Sequence, residues 1–188
     1  SKKELIEYYN CRPSKIVIQP TIPILPKKYK DLKEKINIEL ICEKLGLKKN
    51  EKFIFYPAHF WAHKNHKYII DTIEILKFKK KIDLKVVLCG SAKENLNYIK
   101  NQVNKKKLSD NFYFFEFFTS EKMITLYKKT IALVMPTYVA RSTLPLYEAF
   151  FFQVPVFYSK NVLDKDLEEY VEVFDLNNPQ NLADKLDD

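Results

Sequence analysis

Glycine is close to absent: Gly46 and Gly90 are the only two in 188 residues. A P-loop and a Gly-x-Gly-x-x-Gly dinucleotide fingerprint both need several glycines, because the backbone must approach phosphate with no Cβ in the way. Both motifs are excluded, and with them a Walker-type ATP site and a dinucleotide site of that kind. Arginine is equally scarce. Arg12 and Arg141 stand alone, so the net charge of +8 rests on lysine. Arginine is the fork that reads bases and clamps phosphates. Acidic residues are interspersed, and the longest basic runs are Lys79-Lys80-Lys81 and Lys105-Lys106-Lys107. The surplus reads as solvated lysine faces and no nucleic-acid partner is expected, with a basic RNA-binding domain kept as a rival. The cysteines, Cys11, Cys42 and Cys89, are odd in number and far apart, which fits a reducing compartment and not a disulfide framework. No apolar run reaches the ~20 residues that span a membrane. The opening Ser-Lys-Lys-Glu-Leu has no apolar segment behind it and is no signal peptide. The expectation is a soluble, cytoplasmic chain. It starts without Met and ends in Leu186-Asp187-Asp188, as a piece of a longer protein would.

What the chain does have is 46% hydrophobic and 30% charged residues, enough for one substantial core. Lys2 to Tyr9 is a short helical pattern, and Lys15 to Gln19 alternates as a strand. Pro20, Pro23 and Pro26 then punctuate an extended connection. Asp31 to Leu45 is predicted as one helix, with Ile38, Ile41 and Leu45 on one face and Gly46 free to take the left-handed position after its end. Strands follow at Lys52 to Tyr56, Leu84 to Cys89, Asn111 to Phe118, Ile131 to Met135, Val154 to Tyr158 and Val171 to Phe174. The third is so aromatic that cover is expected on both faces. Helices are predicted between them, from Asn65 to Lys80, Lys93 to Lys106, Glu121 to Lys129, from Ser142 or Thr143 onward, near Leu163 to Glu169, and from Pro179. Apolar strands alternating with crossover helices predict an α/β fold, a doubly wound parallel sheet covered on both faces. Ligands of such sheets bind beyond the carboxyl ends of the strands. The loops that fall there are Ala58 to His66, Gly90-Ser91, Phe118 to Ser120 and Thr137 to Thr143.

The stretch from Pro136 to Ser159 organises the rest. It runs from a buried strand through a loop into a helix and on to the next strand. Ser142 or Thr143 can cap that helix, and Pro145 sits in its first turn, where a missing N–H costs nothing. A helix start beside a strand end binds anions, because free amides and the helix dipole point out of it. Glu148, one turn in, stands among Leu146, Ala149, Phe150 and Phe151. Its charge needs dedicated donors there. It is either an acceptor for two vicinal hydroxyls, as on a ribose, or a capping residue reaching back to the helix start. All three histidines, His59, His63 and His66, lie in one loop. Three imidazoles could ligate zinc, but the preferred reading is a polar loop at a strand end that aims Lys64 at a bound anion. A solvent-exposed loop with an incidental lysine is the alternative.

Two segments together resemble the retaining GT-B glycosyltransferases of family four, the group 1 glycosyl transferases, and specifically their C-terminal donor-binding domain. The first is Tyr56 to His66 (YPAHFWAHKNH), which looks like the strand-end loop whose lysine contacts the donor diphosphate. The second is Pro136 to Ala149 (PTYVARSTLPLYEA), which looks like the family's Glu-x7-Glu region, with Gln153 to Val156 as the strand that follows. The resemblance implies a Rossmann-like sheet, one half of a GT-B fold, over residues 27–188. Residues 1–26 become an interdomain connection, and an N-terminal acceptor domain is missing from this chain. It implies a hexosyltransferase-type enzyme that takes a nucleotide-diphosphate sugar and transfers the sugar with retention. The acceptor would be a glycan or lipid-linked saccharide, and the full-length protein could associate peripherally with a membrane. The fragment alone is expected to be inactive. No metal or other cofactor is implied, since Lys64 and the helix start take a metal's place.

Residue by residue, Lys64 matches the diphosphate-binding lysine and is the catalytic candidate, and Glu148 matches the ribose-holding glutamate. The donor site further comprises His59, His63, Gly90, Ser91, Phe118, Arg141, Ser142, Thr143 and Leu144. The first glutamate of the pair would fall at Ala140 and is absent, and His59 stands where a basic residue is expected. A non-catalytic nucleotide-sugar-binding module is the reading this departure leaves open.

Overall fold

Four strands are uninterrupted apolar runs: β1 (Phe53–Pro57), β2 (Lys85–Cys89), β4 (Ala132–Met135) and β5 (Val156–Ser159). Their residues are buried almost throughout, so each must be covered on both faces, and that condition selects a parallel sheet. With β3 (Phe112–Phe115) and β6 (Glu172–Phe174) they form one six-stranded sheet in the order β3-β2-β1-β4-β5-β6. Every pairing is parallel. The computed structural model describes residues 2–17, 23–139, 144–163 and 165–187. Within them the helices are α1 (Lys2–Tyr9), α2 (Leu25–Leu32), α3 (Ile38–Lys44), α4 (His66–Glu74), α5 (Leu96–Lys105), α6 (Ser120–Lys129), α7 (Leu144–Phe151) and α8 (Pro179–Asp187). Six of them fall into two groups that pack among themselves: α4 with α5 and α8, and α6 with α2 and α3. From β1 the chain winds outward through β2 to β3. It then crosses back to β4 and winds the other way through β5 to β6. Right-handed crossovers in opposite directions put the two helix groups on opposite faces and create a switch point between β1 and β4.

Local departures from the sequence pattern have identifiable causes. The helix predicted over Asp31 to Leu45 is two helices. Asn37 interrupts it by capping α3, its Oδ1 accepting from the amide of Leu40 at 3.0 Å. Pro26 does not belong to an extended connection; it lies in the first turn of α2, where proline is tolerated. Residues Pro13–Lys15 form a 3₁₀ turn, and Ile16 and Val17 join no strand, Val17 being 86% exposed. The rest of that predicted strand, Ile18 and Gln19, falls outside the described residues. β3 is shorter than predicted and lies at the sheet edge, so only Phe112 of its four residues is buried and the expected cover on both faces is incomplete. The helix predicted near Leu163 to Glu169 is a 3₁₀ segment, Lys165–Tyr170, with no buried residue to anchor a longer helix. The end of the helix begun by α4 is wound as a π-helix over Ile75–Lys80.

The two glycines do different work. Gly46 has φ +75° and closes α3 with a Schellman motif: its amide donates to the Glu43 carbonyl at 2.9 Å and that of Leu47 to Cys42 at 3.0 Å. Gly90 follows β2 and lets two backbones touch. A Cβ there would stand 2.3 Å from the Ala58 carbonyl oxygen. This is the close approach that lets the loops after β1 and β2 share one wall.

His66 opens α4 and is fully buried, stacked on Phe60 at 4.6 Å and tilted against Tyr56 at 5.0 Å. Neither ring nitrogen has a hydrogen bond of good geometry among the described residues. Burial drives its pKa from 6.5 down to about 3, against the Ala58 backbone and with help from the Lys64 charge. The folded imidazole therefore stays neutral where the unfolded one takes a proton. Its contribution is complete above pH 6.5 and is lost as pH falls from there toward 3. Within that window each pH unit costs about 1.4 kcal/mol through this one group. Urea unfolding from pH 7 to pH 4 should show this slope, and His66→Phe, which keeps the ring stack, should flatten it by that amount. An identical slope in the variant would place the acid sensitivity elsewhere.

Candidate donor site at the switch point

The loop after β1 is tied to both neighbours. On the β2 side, the Phe60 amide donates to the Ser91 carbonyl at 3.1 Å. The Ser91 amide donates to Nδ1 of His59 at 3.0 Å, and the Ser91 hydroxyl lies 2.9 Å from the same nitrogen. Because Nδ1 accepts, the ring proton of neutral His59 sits on Nε2. On the β4 side, the Tyr138 amide and the Thr137 hydroxyl reach the His63 carbonyl at 2.9 and 3.2 Å. The Ser159 hydroxyl donates to the Thr137 carbonyl at 2.7 Å, so the end of β5 holds the same loop. From below, the buried Tyr56 hydroxyl donates to the Lys64 carbonyl at 3.0 Å. Ala62–Lys64 form a 3₁₀ turn, and Asn65 takes a left-handed conformation, φ 53°, ψ 42°, before α4 begins. Asparagine is among the few residues that accept this conformation easily. The chain thus reverses at Asn65 with Lys64 fixed by its own backbone.

A cleft of about 390 Å³ opens beyond the carboxyl ends of β1, β2 and β4, and His59, Lys64, Gly90, Phe118, Leu144 and Glu148 all line it. Six of the residues expected from sequence are therefore brought together from four separate segments. Lys64 is half-buried, and burial lowers its pKa. No carboxylate pairs with it among the described residues. Glu148 is also half-buried. Burial raises its pKa, and the Tyr127 hydroxyl, which donates to Oε2 at 2.8 Å, works against that rise. The carboxylate thus leans on α6. Among the described residues, a cation without a carboxylate partner and an acidic group held by a phenol line the same small space. That arrangement can take a ligand carrying both an anion and hydroxyls.

Two expected residues act from outside the lining. His63 is exposed and stacks near Trp61, with ring centroids 6.5 Å apart, and contributes its carbonyl to the β4 loop. Ser91 works by orienting His59. The three histidines are held in three different environments: His59 against Ser91 and Phe117, His63 against Trp61, His66 in the core. Arg141, Ser142 and Thr143, together with Ala140, fall outside the described residues.

Sequence reasoning missed five contributors. Phe117, 72% exposed, meets His59 edge-on at 5.5 Å and forms one lip of the cleft. It belongs to the aromatic string read as core, and only the early end of β3 separates it from that core. Met123 and Met135 supply apolar wall. Tyr127 was legible as inward-facing, and its hydroxyl needed a partner once buried, but nothing local names Glu148 as that partner. Cys89 also lines the cleft. Its thiol donates to the Glu116 carbonyl at 3.0 Å, and burial pushes its pKa up to about 12, which keeps it an inert wall residue.

Two wider depressions, each about 740 Å³, lie at the amino ends of the strands, lined largely by lysines and glutamates such as Lys48, Glu51 and Lys85. They lie at the opposite end of the sheet from the converging loops.

The chain matches the family model of the glycosyl transferases group 1 over residues 37–188. No curated protein matches it in sequence. Among solved structures it is similar to a glycosyltransferase from Rickettsia africae, with 20% identity and a TM-score of 0.80 over 99% of this chain and 50% of that one. It is also similar to WaaG, a glycosyltransferase involved in lipopolysaccharide biosynthesis, with 17% identity and a TM-score of 0.76 over 99% of this chain and 51% of that one. A third is HepE of Anabaena, solved in complex with UDP and glucose, with 17% identity and a TM-score of 0.65 over 79% of this chain and 41% of that one. The chain spans about half the length of these structures, which at such identities share its fold. No described helix is long and apolar enough to cross a membrane. With its doubly wound parallel sheet and the family match over most of its length, the chain belongs to the group 1 glycosyl transferases.

Proposed function

We propose that this chain is the donor-binding half of a retaining glycosyltransferase, and that a nucleoside diphosphate sugar occupies the cleft at the switch point. The observation that carries this reading is that Lys64 and Glu148 line one cleft, the first without a carboxylate partner among the described residues and the second hydrogen-bonded by the Tyr127 phenol. Lys64 neutralises the diphosphate, and Glu148 accepts from the ribose hydroxyls. α7 starts at Leu144 in the cleft lining, and the positive end of a helix favours phosphate. UDP and glucose bound to HepE give the ligand class a precedent. A second domain, of the kind that makes up the other half of the similar structures, would hold a saccharide acceptor.

In the transfer, the bond from the sugar's anomeric carbon to the diphosphate oxygen breaks, and the acceptor oxygen bonds to the same face. The acceptor's proton passes to the departing diphosphate. No protein nucleophile is required. This chain positions the donor and stabilises the charge that grows on the diphosphate. Lys64, partly desolvated, does so without a metal ion.

Two measurements test this. Lys64→Ala should weaken UDP by about 1.5–3 kcal/mol while leaving uridine nearly unchanged, since the contact is charge-assisted. EDTA should change neither affinity in the wild type. Equal loss for both ligands, or sensitivity to EDTA, would contradict the assignment of Lys64. Glu148→Gln should weaken UDP by about 1–3 kcal/mol and leave pyrophosphate, which has no ribose, unaffected. A lowered melting temperature with unchanged UDP affinity would remove Glu148 from the site.

A further inference from the structure

Tyr127 lies on the face of α6 turned to the sheet and is fully buried. Its ring meets Phe55 of β1 edge-on at 5.3 Å and stacks on Phe152 at 5.6 Å. A ring clamped on two sides cannot swing away, so its hydroxyl has a fixed direction. The hydroxyl points to Oε2 of Glu148 at 2.8 Å, with the Pro145 carbonyl more distant at 3.5 Å. Aromatic packing alone would be served equally well by phenylalanine. The hydroxyl is the part that packing does not explain, and it touches the cleft's only glutamate.

We propose that Tyr127 is a positioning residue for donor binding, pinning one oxygen of Glu148 and leaving the other to accept from the ribose. The proposal rests on the ribose reading of Glu148. A carboxylate with free rotation about its last bond must be ordered when a diol binds; one held by a rigid phenol is ordered beforehand. The same bond favours the ionised carboxylate in a place where burial favours the neutral acid. The other titratable groups of the cleft are His59 and Lys64 after β1 and Cys89 at the end of β2. α7 also packs against α2, which carries Lys27, Lys28, Lys30 and Asp31, and against β5, which carries Tyr158 and no charge. None of these shifts Glu148; burial and Tyr127 do.

The sign follows directly. Removing the hydroxyl raises the Glu148 pKa further, so UDP affinity fails at a higher pH as solution is acidified. The test is Tyr127→Phe, read by ¹³C titration of the Glu148 carboxyl and by UDP and pyrophosphate binding across pH. The expected result is an upward-moved Glu148 titration and a roughly three- to ten-fold loss of UDP affinity at neutral pH. The acid limb of UDP binding should move to higher pH, with pyrophosphate unchanged. In a Glu148→Gln background the same substitution should cost UDP nothing. Site-specific 3-fluorotyrosine at 127, which keeps the shape and strengthens the donor, should move the acid limb the opposite way and covers the case in which phenylalanine unsettles the fold. A lower melting temperature with an unmoved Glu148 titration and an unmoved UDP profile overturns the proposal, as does an equal loss in the Gln background. If Glu148→Gln itself leaves UDP affinity intact, the ribose reading fails first, and the positioning role falls with it.

Discussion

The site depends on one constraint: the loop after β1 must be held between the loops after β2 and β4 without glycine-rich backbone to ease the fit. Gly90 lets the main chain come within touching distance of the Ala58 carbonyl. The rest of the stitching mixes main-chain amides and side chains, Phe60 and His59 to Ser91 on one side and His63 to Thr137 and Tyr138 on the other. The buried Tyr56 hydroxyl fixes Lys64 from beneath. A lysine so held is placed by its backbone at the mouth of the cleft.

Electrostatics then follows from packing. Lys64 and Glu148 are both partly withdrawn from water, and burial moves each toward its neutral form. A ligand that brings negative charge to the lysine and hydroxyl donors to the glutamate relieves both costs at once. The surrounding wall of Phe117, Phe118, Met123 and Met135 keeps the local dielectric low, which strengthens both contacts. The histidines contribute structure to this design: one orients a loop, one lends its carbonyl, and one fills the core as a neutral ring.

Much of this was legible in the sequence because the informative signals are local. Uninterrupted apolar runs identified the buried parallel strands, and Pro145 with Glu148 marked the start of α7. The loop from Tyr56 to His66 pointed to Lys64 before any coordinates. What was not legible is long-range. That β3 lies at the sheet edge is a property of strand order, so Phe112 to Phe118 looked uniformly like core, and Phe117 on the rim was overlooked. Pro26 looked like a linker residue because proline in a first turn and proline in an extended segment have the same local sequence. Asn37 as a cap inside an apparently continuous helix pattern was the more recoverable error. Tyr127 and Glu148 are 21 positions apart, and only the crossover from α6 through β4 to α7 brings them together.

The central claim is locational: the ligand belongs at the carboxyl ends of the strands, although the amino ends carry two depressions of greater volume. Helix starts, the fixed lysine and the converging loops all favour the smaller cleft. The most direct measurement is an amide chemical-shift map of the isotopically labelled chain titrated with a nucleoside diphosphate sugar. The account predicts perturbations concentrated at Ala58 to Lys64, Gly90-Ser91, Phe117-Phe118 and Leu144 to Glu148. Perturbations centred instead on Lys48 to Lys52 and Lys81 to Lys85, at the opposite end of the sheet, would contradict it.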